Sequence, residues 1–347
     1  MMNSKIINLS SLLIYLLSIT QVAKRTVLSE TLEYSPWSFS ELLISYPDQF
    51  IRRGLIGETI HIISSDTVLF DTVNLVVFIN FVIFTLLSFA FIKLSNLSSI
   101  QHFLYLISIF GILNISMFNQ YFHRKEMFVL NLFLIILLTL RFRANEYLIL
   151  IISSICSTLM ILIHEGIAMI TIPFIVYLFK KMLDNSKKVL YVYTPIVLLI
   201  FLTVIIGSGS DSSSNVMWEN LSEFDKNQIV INPNAITAIG WSVLDSFLNT
   251  TQILIFSGSM FLWTFYFFIV GFTLFVIFNI NFNKIYIDYS KVKSFLVKEK
   301  YFLVIPVLFV IGFDWGRWLF SLFHLCFFSY LTPVSYTHLT LPTTPYV

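Results

Sequence analysis

Charge is scarce in this chain, and so are the residues from which most soluble sites are built. Only 12% of the 347 residues are Asp, Glu, Lys or Arg, against 57% hydrophobic, whereas soluble domains carry about 25% charged residues. That deficit excludes an ordinary soluble domain and makes a bilayer the natural solvent. The two cysteines, Cys156 and Cys326, lie in apolar runs, which argues against a disulfide framework or a cysteine metal site. Glycine-rich nucleotide motifs, zinc spacings and internal repeats are absent, and no stretch remains for a soluble domain. An ATP-driven pump is therefore not expected, nor is a soluble cofactor, a metal or a nucleic-acid partner.

What is present is a series of apolar runs. A helix needs about 20 residues to cross roughly 30 Å of hydrocarbon. On that ruler the sequence predicts an all-α, polytopic transmembrane helix bundle with spans near 6–23, 71–92, 98–117, 122–140, 147–164, 165–180, 189–207, 255–280, 301–316 and 317–333. The pairs meeting at His164 and at Asp314 can equally be broken or re-entrant helices. The first run lacks a small-x-small cleavage site and ends on Lys24 and Arg25, so it reads as a retained span rather than a signal peptide. Residues 1–333 form a single transmembrane domain on this reading. Residues 334–347 are expected not to be native, because Val334 to Thr343 matches the translation of a sequencing adapter.

With the N-terminus in the cytoplasm, Lys5, Lys93, Arg141, Arg143, and the lysines of 180–188 and 284–300 fall inside, which is most of the 21 Lys and Arg. That is the pattern of the positive-inside rule. Among the 19 acids, only Glu146, Asp184, Asp288 and Glu299 share that side. The opposite side then holds two long loops, 24–65 and 208–249. Mixed aromatic and charged residues of the first suit short interfacial helices. The second opens on Gly207-Ser-Gly-Ser-Asp-Ser-Ser-Ser214, which reads as flexible polar chain, either a lid or a solvated connector.

Four polar motifs interrupt apolar sequence, all on that outer side: Arg52-Arg-Gly-Leu-Ile-Gly-Glu58, His123-Arg-Lys-Glu126, His164-Glu-Gly166 and Asp314-Trp-Gly-Arg317. Residues 127–140 give only about 21 Å of helix, so that span reaches bilayer thickness only by drawing its motif into the membrane boundary. Glu165 and Asp314 are drawn in the same way. Charges at such depth face cavities and partners and are by default candidate functional groups. His123 with Glu126, and Asp314 with Arg317, stand three apart and can share a helix face. Each motif also has a structural reading: Arg52 and Arg53 as headgroup contacts, His164-Glu165 as a wet helix end, and Asp314-Arg317 as an ion pair fixing two helices. Asn80, Asn114 and Asn131 are expected to make interhelical hydrogen bonds.

If the motifs converge, they combine fixed cations with carboxylates, a set suited to glycosyl transfer from a lipid pyrophosphate. Arg52, Arg53, Arg124 and Arg317 would bind the pyrophosphate, with His123, Lys125 and Glu126 beside them. Glu165 or Asp314 would act as base with His164 assisting. The arrangement resembles the polytopic proteins of bacterial surface-polysaccharide loci, namely O-antigen polymerases and membrane-embedded glycosyltransferases of the GT-C type. That resemblance implies a multi-pass protein of the bacterial inner membrane that uses an undecaprenyl-linked oligosaccharide on the periplasmic face, among membrane lipids and other polysaccharide-assembly proteins. It also implies an acid in the first outer loop, for which Glu33, Glu41 and Asp48 are candidates. A transporter or flippase of a lipid-linked or anionic substrate is the alternative from another class.

Overall fold

The computed structural model describes residues 4–47, 49–64, 68–95, 97–119, 121–142, 145–182, 186–207, 209–229, 234–241, 248, 251–252, 259–278, 300–306 and 315–332. Asp48, Asp314 and the 334–347 tail lie outside them. Every regular element among the described residues is helical. In chain order the α-helices are α1 (Ser4–Arg25), α2 (Pro36–Leu42), α3 (Leu55–Ile63), α4 (Phe70–Leu94), α5 (Ser99–Ile107), α6 (Ile112–Asn114), α7 (Lys125–Arg141), α8 (Glu146–Met182), α9 (Ser186–Ile206), α10 (Asp211–Asn220), α11 (Glu223–Gln228), α12 (Ser259–Phe278) and α13 (Trp315–Leu331).

Among the described residues six stretches are long and apolar enough to cross a membrane: Lys5–Arg25, Phe70–Leu94, Ser99–Phe118, Glu146–Met182, Lys188–Ile206 and Phe261–Phe278. The chain is a helical membrane protein on that ground. Its surface agrees, since Phe261, Phe265, Phe268 and Phe272 form one exposed stripe along α12, a face that only lipid accepts at low cost. Of the ten expected spans, those at 122–140 and 317–333 correspond to α7 and α13, each of 17 residues. The expected pair 147–164 and 165–180 corresponds to two helical segments of α8 that meet at a kink at His164, whose backbone is extended (φ −163°, ψ 96°). At 37 residues the run measures about 55 Å, too long for one hydrocarbon crossing.

Breaks in these helices are chemically provided for. Ser98 and Gln101 form a capping box at the start of α5, which satisfies two orphan N–H groups. After α5 ends, the Asn114 side chain donates to the carbonyls of Ile107 at 3.0 Å and Ser108 at 2.7 Å, groups that hydrocarbon would leave unpaired. Asn114 therefore mends its own segment rather than bridging two helices. Asn131 on α7 does bridge, donating to the side chain of Asn80 on α4 at 2.7 Å. The bundle interior is largely aromatic: Tyr105 stacks on Phe327 of α13 at 4.1 Å between centroids, and Tyr121 stacks on Phe320 at 4.6 Å. These contacts seat α13 against the α5 to α7 region, with its first turn beside the motifs.

In the opening of the second long loop, residues 211–214 are not the flexible chain their composition suggests. Ser210 caps α10 by accepting from the Ser213 amide, so the Gly/Ser stretch enters a helix from Asp211 onward. The two long loops are then sewn together. The Asp225 carboxylate accepts from the Leu69 amide, Gln228 accepts from Leu32, Gln49 donates to Ser213 at 2.8 Å, and the Arg52 amide donates to Gly207 at 2.9 Å. Gly207 is required there, because a Cβ would lie 2.8 Å from the Arg52 nitrogen.

Candidate functional site

Three of the four polar motifs, together with Arg317 of the fourth, meet around one residue of the first loop, Glu41. Proline at the first turn starts α2, since its missing N–H costs nothing there, and the helix buries Glu41 to 2% exposure. Its Oε1 accepts from Arg317 Nη2 at 3.0 Å; His164 Nε2 stands 3.8 Å from the same oxygen, and Arg124 Nη1 is 3.9 Å from Oε2. Arg317 reaches both ways, because its Nε also donates to Glu126 Oε1. Glu126 is fully buried, and its second oxygen has no partner among the described residues.

A second ion pair stands beside the first. Arg53 Nε and Nη2 grip Glu165, with three donor–acceptor distances of 2.9 to 3.1 Å, and Arg52 Nη1 lies 3.9 Å away. Arg53 is the one described non-glycine residue with positive φ, at 69°. That left-handed backbone costs an L-residue about 1–2 kcal/mol, and two contacts hold it: Glu165 grips the side chain, and buried Lys125 donates to the Arg53 carbonyl at 2.5 Å. The rest of the 52–58 motif is scaffold. Glu58 accepts from the Tyr46 amide at 3.0 Å, and Gly57 lets α3 approach so closely that a Cβ would lie 2.1 Å from the Ile44 carbonyl oxygen.

The expected sharing of a face by His123 and Glu126 gives way to other partners. Glu126 pairs with Arg317, while the His123 ring stacks on Tyr34 at 4.6 Å and meets Phe122 edge-on. Neither His123 nitrogen has a hydrogen-bond partner among the described residues. Arg317 donates to Glu41 and Glu126, while Asp314, its expected partner, lies outside the described residues. His164 stands at the break in α8, and its position puts the imidazole beside Glu41 and the next residue, Glu165, beside Arg53.

Above Glu41 a small cleft of about 60 Å3 opens between the two long loops, lined by Trp37, Glu41, Ile44, Arg52, Arg53, Ala235, Ala238 and Ile239. Five cations (Arg52, Arg53, Arg124, Lys125, Arg317) and three carboxylates (Glu41, Glu126, Glu165) make up the described cluster. Among the described residues positive charge is in excess by two, and the partly exposed members are Arg52, Arg53 and Arg124, at 32%, 31% and 20% side-chain exposure. Burial alone would raise the Glu41 carboxyl, but Arg317, Lys125, Arg124 and Arg53 overcome it and hold that group down at about 2. Glu41 is therefore an anion inside a field that favours a further anion.

Comparison with protein-family models, with curated proteins and with solved structures gives no match to this chain. Its chemistry rests on the geometry above. Trp37 and the 235–239 wall were not legible as site residues, although the four-residue spacing of Trp37 and Glu41 after Pro36 was a usable signal.

Proposed function

We propose that this chain is a membrane-embedded polymerase or glycosyltransferase that uses lipid-pyrophosphate-linked sugars on the periplasmic face of a bacterial inner membrane, in surface-polysaccharide assembly. The observation that carries the reading is the cation excess, with arginines at a cleft whose floor is a buried carboxylate. Arginine donates charge-assisted, bidentate hydrogen bonds to phosphate oxygens, so Arg52, Arg53 and Arg124 are the groups to receive a pyrophosphate. The orientation with a cytoplasmic N-terminus and about ten spans belongs to the same proposal, supported by the distribution of lysine and arginine.

The geometry favours Glu41 over Glu165 as the base. Both oxygens of Glu165 are occupied by Arg53, which leaves neither open to an acceptor hydroxyl. Glu41 has one close donor, Arg317, and reaches the cleft. An acceptor hydroxyl attacks the anomeric carbon of the donor sugar, its proton passes to Glu41, and the anomeric C–O bond breaks with its electron pair leaving on the lipid pyrophosphate. Negative charge arriving on the arginines offsets the field that holds Glu41 deprotonated and raises its proton affinity when the acceptor is present. Arg317 and Glu126 position that carboxylate.

The break in α8 also suits a transporter, whose substrate sites often lie at broken helices. Purified protein in nanodiscs, supplied with an undecaprenyl-pyrophosphate oligosaccharide, separates the two readings. Longer glycans on the lipid are expected; in proteoliposomes, movement of the intact lipid between leaflets with no change in glycan length would overturn the enzyme.

A further inference from the structure

The cleft contains more than phosphate recognition requires. Trp37 and Glu41 stand four residues apart on α2 and both line it, so indole and carboxylate share one helix face. Facing them are the small side chains of Ala235 and Ala238. One hydroxyl fixes both walls: Ser40 Oγ donates to the Trp37 carbonyl at 2.8 Å and accepts from the Ala235 amide at 3.0 Å. Trp37 is half-buried, and its ring stacks on no other aromatic ring among the described residues.

A phosphate group would use Arg52 and Arg53 and gain nothing from an indole or an alanine wall. A pyranose uses all of them. Its axial C–H face is apolar and lies well on an aromatic plane, while its hydroxyls donate to a carboxylate and accept from guanidinium. The cleft is open on one side, and its volume, about 60 Å3, is a few times the roughly 10–15 Å3 that one water needs. It admits the hydroxyl edge of a sugar and leaves the ring at the mouth, beside Trp37. A hydroxyl entering there points toward Glu41.

We infer that Trp37 is a sugar-stacking platform and that Trp37 with Glu41 forms the acceptor-sugar subsite of the cleft, separate from the arginines that take phosphate. This rests on the glycosyl-transfer reading above. The test uses the full chain in nanodiscs, with the methyl β-glycosides of glucose, galactose and N-acetylglucosamine as probes by saturation-transfer NMR, and inorganic pyrophosphate as a separate probe by phosphorus line broadening. At least one glycoside should take up saturation from the protein. Trp37→Ala should weaken it roughly tenfold or more, Trp37→Phe should retain most of it, and pyrophosphate binding should stay within about twofold in both. Glycoside binding that is absent while pyrophosphate binds, or that survives Trp37→Ala within about twofold, overturns the platform and leaves the glycosyl-transfer reading standing. Trp37-dependent glycoside binding with no pyrophosphate binding supports the platform and overturns the glycosyl-transfer reading instead.

Discussion

Two regions of this protein bury polar side chains, and they do so in opposite ways. In the helix interior several buried polar groups are neutral and meet in pairs: Tyr15 with His102 at 3.0 Å, Asn131 with Asn80 at 2.7 Å, and His324 Nδ1 with the Phe320 carbonyl at 3.0 Å, with Asn80 Nδ2, Asn131 Oδ1 and His324 Nε2 left without a partner among the described residues. Around Glu41 they are ionised, pooled among several elements, and unbalanced toward the positive. A neutral pair carries no net charge and calls for no counter-ion. A charged cluster with surplus cations has desolvated charge without recovering its full Coulombic return, and on the proposed reading an anionic ligand completes it. The contrast separates groups that join helices in neutral pairs from the groups proposed to bind.

The largest expected effect breaks the charged region's chemistry without breaking its fold. Glu41→Gln keeps the shape of the side chain and removes its proton affinity. Transfer from the lipid-linked donor should fall about 10²- to 10⁴-fold, the range for loss of a general base, while pyrophosphate binding persists. Glu165→Gln should disturb pyrophosphate binding more than the pH-independent rate of transfer, since its partner is Arg53. If Glu165→Gln abolishes transfer and Glu41→Gln leaves it intact, the base assignment is reversed.

Next in size is the cost of opening the cluster. Arg317→Leu leaves Glu41 and Glu126 buried without their shared guanidinium, and removing one partner from such a set costs about 3–5 kcal/mol. Thermal unfolding in detergent should show it as a large fall in Tm; an unchanged Tm would mean that the cluster contributes no stability. A smaller, graded effect is set by pH. The Glu41 carboxyl titrates lower in the fold than the ordinary 4.5 of glutamate, at about 2, because the surrounding cations outweigh its burial. Its contribution to stability is therefore complete above pH 4.5 and is lost as pH falls from there toward 2. In Glu41→Gln that part of the acid slope in Tm should vanish, and a slope identical to wild type would place the titration elsewhere.

The same contrast governs what the sequence made legible. Helical class and membrane character followed from long apolar runs, and the motifs at 52–58, 123–126 and 164–166 and Arg317 stood out because charge is costly beside such runs. Span length placed several of them at the membrane boundary, their convergence was a supposition, and the structure brings Arg52, Arg53, Arg124, Lys125, Glu126, His164, Glu165 and Arg317 together. Glu41 carried no such local signal. Only the family resemblance nominated it, together with Glu33 and Asp48, and its burial comes from α2 docking under the second loop through Ser40 and Ala235, a contact across 195 residues of sequence. The Gly/Ser opening of that second loop misled for a related reason, since composition reports backbone freedom but not the Ser210 cap that removes it. Asn114 was read as a bridge, because its actual partners are carbonyls freed by a break in its own helix.

The smallest expected effect tests the quiet region. Asn131→Leu removes the hydrogen bonds to Asn80 and replaces them with a side chain of similar bulk at a site only 6% exposed. Interhelical hydrogen bonds in membranes average about 0.6 kcal/mol and reach about 1.7, so Tm should move by only a few degrees and transfer activity should be unchanged. An equal loss from Asn131→Leu and Arg317→Leu would remove the distinction between the two regions, because it would mean that neutral pairs bear as much of the fold as the ion cluster. A loss of transfer at constant Tm would instead make α4 and α7, which this bond joins, part of the machinery that positions Lys125 and Glu126 at the head of α7.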